Sequence, residues 1–124
     1  MSVLVYESAE TVELDGLEDE LARAFSIIRA ALARGDVVVV ALDEHAVEGG
    51  GDPVRAALAH GLLGLVRALA TEGRNAGWQI NALATPRGLD GEARLAWIDR
   101  LAEPAGASGT LIRLGTDHLG KVPA

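Results

Sequence analysis

The spacing of apolar residues along the chain changes period several times, and each change predicts an element. Ser2 to Glu7, rich in Val, Leu and Tyr, predicts a short buried strand. Leu17, Leu21, Ala24, Phe25, Ile28, Ala31 and Leu32 then recur at helical spacing. Asp15 with Glu18 three residues on predicts a capping-box start for that helix, and Gly35 its stop. Arg29 and Arg34 fall near the end, where the helix dipole favours cations. Asp36 to Leu42 holds four consecutive valines without polar alternation, the pattern of a strand buried on both faces. Glu48 to Gly51 reads as a flexible loop. Asp52-Pro53 is a strong helix start, with apolar residues Leu58, Leu62, Leu65, Val66 and Leu69 before a stop at Gly73 or Gly77. Trp78 to Ala84 predicts a third strand, Asp90 to Ala102 a helix stopped by Pro104, and Thr110 to Leu114 a last strand before an irregular tail.

This alternation predicts an α/β domain with a four-stranded parallel sheet and three helices, one unit over residues 1–124. No repeat, low-complexity tract or linker interrupts it. With 49% hydrophobic but only 3% aromatic residues, the core must be aliphatic, and Trp78 and Trp97 are expected to help fill it. The formal charge of −7 argues against nucleic acid or an anionic membrane as partner, since phosphate binding needs a basic face. The absence of cysteine excludes disulfides and thiolate chemistry. No apolar run approaches the ~20 residues of a membrane span, and the N-terminus lacks a signal pattern. A cytoplasmic protein is expected.

Candidate chemistry is sparse. Gly49-Gly50-Gly51 precedes a helix, but Asp52 places a negative charge where a phosphate would sit, so no anion cradle is expected. His45, His60 and His118 have no metal-ligand spacing. Asp117 with His118 reads as a turn in the tail. Asp43, Glu44 and His45 lie at the end of the valine strand, where α/β sites open. Asp43, His45, Arg55 and His60 together form the candidate set for a small enzyme or ligand-binding site. Ala57, Gly61, Gly64 and Ala68 line one side of the second helix, and glycine there costs roughly 0.5–1 kcal/mol against alanine. Such a stripe predicts close approach of another backbone.

The run Gly61-Leu62-Leu63-Gly64-Leu65-Val66-Arg67-Ala68-Leu69-Ala70-Thr71-Glu72, leading to Ile80-Asn81-Ala82-Leu83-Ala84, resembles the short-chain dehydrogenase/reductase (SDR) family. There a helix carrying Tyr-x-x-x-Lys continues in this way and re-enters the sheet through an "(I/V)NA(V/L)AP" strand. Ala24 to Leu32 resembles the preceding family helix, and Gly109 to Gly120 the last strand and its glycine-rich ending. The resemblance covers nearly the whole chain but only the C-terminal half of a family member. It implies a truncated Rossmann-like fold. Right-handed crossovers would put all three helices on one face of the sheet, yet the valine run demands cover on both, so either the third helix crosses to the other side, as family members suggest, or a partner covers that face. The resemblance also implies that the first two helices pair with those of a second subunit in a four-helix bundle.

The departures from the family carry the functional expectation. Arg55 stands where the catalytic tyrosine belongs, Ala59 where the lysine belongs, and the serine falls on or beside Leu42. Glu20 stands at the structural asparagine. A proton relay without the phenol and its lysine fails. The glycine-rich dinucleotide loop has no counterpart either. The resemblance therefore implies no catalytic residues, no cofactor and no dehydrogenase activity: a pseudoenzyme subunit with a structural or regulatory role. Its expected partners are itself or a complete SDR enzyme, through Phe25, Ile28, Ala57, Gly61, Gly64, Leu65 and Ala68.

Overall fold

In a computed structural model, which describes residues 2–9, 11–104 and 106–115, the predicted alternation is realised. Strand β1 (Val3–Glu7) leads through a 3-10 turn at Leu14–Gly16 into helix α1 (Leu17–Ala33). Then come β2 (Val37–Asp43), a short helix α2 (Glu44–Val47) and the long helix α3 (Pro53–Glu72). Strand β3 (Ile80–Thr85), helix α4 (Gly91–Leu101) and strand β4 (Leu111–Arg113) complete the domain. The sheet has four strands in the order β1-β2-β3-β4, all parallel, with Val3 opposite Val37, Val38 opposite Ile80 and Ala82 opposite Leu111.

The valine run behaves as its sequence demands: Val37 to Val40 are all buried. Val38 and Val40 face one core with Ile80, Ala82, Ala84, Ile28, Leu32, Leu62 and Val66, so α1 and α3 cover this side. Val39 and Leu83 point the other way, onto Ile98 and Leu101 of α4. The third long helix thus lies on the opposite face while the strands keep stepping in one direction. That crossover has the opposite hand to the first two, so at least one of the three departs from the right-handed rule.

Several local expectations are corrected. The sheet carries four helices, not three, because Asp43 caps an extra turn of helix by accepting a bond from the His45 N–H at 3.2 Å. Asp15 does not cap α1: it lies inside the 3-10 turn, and Gly16 occupies the cap position without a side-chain bond. Asp52 and Asp90 do cap α3 and α4, accepting from Val54 N–H and Glu92 N–H. Arg34 is the C-cap residue of α1, and Arg29 stands about one turn before the end. Arg29 also pairs with Glu72 at 2.6 Å, and Arg34 with Asp36 at 2.8 Å. The tryptophans do not fill the core. Both are half-buried at its rim, each under a guanidinium, Arg29 over Trp78 and Arg100 over Trp97.

The Gly49-Gly50-Gly51 segment is a packed turn, not merely a flexible loop. Gly49 and Gly51 have φ of 88° and 70°, and a Cβ at Gly50 would strike the His45 ring. Although polar residues interrupt its apolar pattern, α3 is long and apolar enough to cross a membrane, with 20 residues and mean hydropathy 1.3 over its most apolar window. Here one side of it, Leu58, Leu62, Val66 and Leu69, is buried against the sheet.

Candidate functional site

In a parallel sheet the chain leaves every strand at the same edge, and ligand sites open there. At this edge the ends of β1, β2 and β3 surround a cleft of about 270 Å³, lined by Glu7 and Ser8, by Leu42 and Asp43, and by Thr85 and Pro86. Three arginines border it: Arg55 from the first turn of α3, Arg87 from the loop after β3, and Arg94 from α4. Inward, the cleft narrows to about 30 Å³ between Val12, Ala46, Leu58, Ala59 and Leu62, an apolar end.

Two carboxylates face the guanidiniums. Asp43 Oδ2 lies 3.5 Å from Arg55 Nη2, and Arg94 Nη2 donates to Glu7 Oε1 at 2.6 Å. Beneath the β1 side, the Tyr6 hydroxyl donates to Glu20 Oε2 at 3.0 Å, and the Ala9 N–H reaches the same oxygen at 3.4 Å. Burial is the main cause that pushes the Tyr6 phenol above its ordinary pKa, and the neighbouring Glu20 carboxylate adds to it. At the β4 end, Glu44 is buried at 2% exposure and held by a forked pair of contacts from Arg113, whose Nη2 lies 2.6 Å from Oε2.

Of the residues singled out in the sequence, Asp43 and Arg55 come together at the cleft. His45 and His60 do not line it. The His45 ring lies on Gly50, and His60 Nε2 is 2.9 Å from the Val47 carbonyl, which can only accept, so that nitrogen carries the proton. Leu42, Arg55 and Ala59, the residues that the resemblance singled out, all line one cleft. Asp117 and His118 lie outside the described residues. Among the described residues no group of three or more His, Cys, Asp or Glu could hold a metal ion.

No protein-family model and no curated relative matches the chain. Solved structures do. The citronellol catabolism dehydrogenase of Pseudomonas aeruginosa PAO1 superposes with TM-score 0.70 at 22% identity, over 91% of this chain and 60% of that one. The enoyl-[acyl-carrier-protein] reductase (NADH) of Aquifex aeolicus VF5 gives 0.73 at 16% identity, with the same coverage of 91% and 60%. A short-chain dehydrogenase/reductase of Serratia marcescens gives 0.67 at 19% identity, over 92% and 64%. The chain has the SDR fold. It spans about three fifths of the length of these SDR-like chains.

The expected interface residues fall into two groups. Ile28 is not at the surface: it is fully buried in the core beneath α1. Gly61 is explained within the chain, because a Cβ there would come within 2.8 Å of Leu21 Cδ2. Gly64 faces open space, and Ala57 and Ala68 are exposed. Phe25, the chain's single phenylalanine, is 44% exposed. It lies one helical turn from Leu21, which touches α3 at Gly61, and one from Arg29, which reaches Glu72. Phe25 therefore borders the seam between α1 and α3, on the stretch of α3 that holds Gly64, Leu65 and Ala68.

No sequence signal marks Arg87, Arg94 and Glu7 as site residues. They are distant from one another along the chain, and only the common strand edge brings them to one cleft.

Proposed function

We propose that this chain is a non-catalytic SDR-like subunit that acts as a structural or regulatory oligomerisation partner. It associates with a second copy of itself or with a complete SDR enzyme through the outer faces of α1 and α3. The observation that carries this reading is the exposure of Phe25 in a chain with so few aromatic side chains. Among bulky aromatics in so aliphatic a protein, one left in solvent beside Gly64, Leu65 and Ala68 loses a large apolar contribution unless a neighbour covers it. Ile27 is also exposed, at 37%.

The non-catalytic half of the proposal rests on residue chemistry. Arg55 offers a guanidinium that donates hydrogen bonds and accepts none, so it cannot replace a phenol in a relay that both gives and takes a proton. Ala59 has no donor with which to hold a ribose. Leu42 has no hydroxyl for a substrate carbonyl, and these positions do not fit a nicotinamide cofactor. Sedimentation equilibrium at micromolar concentration tests the association. A dimer or larger species is expected, and a 12.9 kDa particle that also fails to bind any complete SDR chain overturns the proposal.

A further inference from the structure

We infer that the cleft at the strand ends binds a small organic anion, a carboxylate or phosphate with a short apolar end. The inference is independent of oligomerisation, because the cleft lies at the sheet edge and not on the outer face of α1 and α3. Three guanidiniums reach it from three separate segments, Arg55, Arg87 and Arg94, and only two carboxylates, Asp43 and Glu7, stand among its lining residues. Asp43 and Glu7 pair with Arg55 and Arg94, so Arg87 is the added cation among the described lining residues.

Planar guanidiniums offer paired donors that match the oxygens of a carboxylate or phosphate. Arg87 is exposed and forms no ion pair among the described residues, so its donors are available to a ligand. The Arg94 partner, Glu7, is 66% exposed on its side chain. Exposed pairs of this kind are weak, so exchanging Glu7 for a ligand oxygen loses little. The backbone donors at the starts of α2, α3 and α4 are partly taken by Asp43, Asp52 and Asp90, which leaves the arginines as the main anion donors. Below them, the narrow end between Ala46, Leu58, Ala59 and Leu62 accepts an apolar group of about methyl or ethyl size. The ligand is therefore polar at one end and apolar at the other.

The test is an NMR titration of the full chain with sodium butyrate and, separately, with inorganic phosphate, each at constant ionic strength. Saturable shifts of the Ala41, Asp43 and Thr85 amides and of the arginine Nε–H groups are expected for at least one probe. Tighter saturation by butyrate identifies a carboxylate ligand, and tighter saturation by phosphate a phosphate ligand. Arg87→Gln and Arg94→Gln should each weaken binding on the order of tenfold, with unchanged melting temperature for Arg87→Gln. Shifts that stay linear through the tens-of-millimolar range for both probes overturn the inference. So does saturation that is indifferent to both substitutions.

Discussion

Gly61 and Gly64 occupy the same stripe of α3, yet their surroundings predict opposite responses to substitution. At Gly64 nothing lies within 4 Å of the point where a Cβ would stand, so a side chain there meets no atom of its own chain. Replacing a glycine in a helix interior removes a penalty of about 0.5–1 kcal/mol, so Gly64→Ala and Gly64→Leu should stabilise the isolated fold. For a domain of this size that is a rise in melting temperature of about 2–6 °C. Association should respond in the other direction. If two copies pack through this face, a symmetric interface meets the new leucine twice, and overpacking costs about 1–3 kcal/mol at each site. The dissociation constant should then rise roughly 25-fold or more. Gly61→Ala is the contrast: its Cβ would stand 2.8 Å from Leu21 Cδ2, so Leu21 must shift and the helix-propensity gain is offset within the monomer. Sedimentation and thermal melts on the three variants separate these effects. A Gly64→Leu protein that is more stable and equally oligomeric refutes the α1/α3 interface. One that is less stable as a monomer refutes the open surroundings on which the prediction stands.

Tyr6 is the chain's single tyrosine, and its folded pKa is raised, so below pH 10 both folded and unfolded states keep the proton and its contribution is intact. Above about pH 10 the unfolded chain ionises first and stability falls until the folded pKa is passed; Tyr6→Phe should flatten that slope in denaturation measured against pH, and an unchanged slope would exclude Tyr6 as its source. Arg113→Ala removes the forked partner of buried Glu44 and should cost about 2–3 kcal/mol in urea denaturation, the lower end for a buried pair because Arg113 is partly exposed. In Glu44→Gln the same arginine removal should cost markedly less, and equal losses in both backgrounds would deny the coupling. Titration calorimetry with NADH and NADPH should give no stoichiometric heat; a micromolar site would refute the non-catalytic reading.

The strand and helix order is legible because each element has its own apolar period: the unbroken valines of β2, and the three- and four-residue spacing of α1 and α3. What escapes the sequence is what depends on neighbours brought in by the fold. Helix α2 is four residues long, too short for any period to emerge. Ile28 and Phe25 belong to one helical pattern, but the first is fully buried and the second stands at the seam, a difference set by how α1 rolls on the sheet. Gly61 and Gly64 are chemically identical in sequence and are told apart only by Leu21. The cleft is half legible. Asp43 and Arg55 stand out because they flank the valine strand and the next helix start, whereas Arg87 and Arg94 reach the site only through the parallel register of β3 with β2.

The two faces of the sheet are held by different physics, and this bears on the third crossover, whose hand is opposite to that of the first two. On the α1 and α3 side a continuous apolar cluster runs from Tyr6 to Ala84, so burial dominates. On the α4 side the buried cluster among the described residues is just Val39, Leu83, Ile98 and Leu101, and Leu95 of α4 remains 58% exposed. Apolar burial alone is a weak fastening for a helix there. Buried amides supply the rest. Gln79 donates to the carbonyls of Leu101 and Glu103 at 2.9 and 2.6 Å, which ties down the end of α4. Asn81, with no exposure, donates to the Ala107 carbonyl and accepts from the N–H and hydroxyl of Thr110, which fixes the approach to β4. The Ser108 hydroxyl accepts from the Ile80 N–H at 3.1 Å and adds a further tie between that connection and β3. Each such bond contributes about 1 kcal/mol net, and leaving one of these buried groups unpaired costs about 1–3 kcal/mol. Any other path for the chain from α4 to β4 would strand several of them at once. A crossover of opposite hand to the two before it is thereby specified by hydrogen bonds, with Asn81 at their centre.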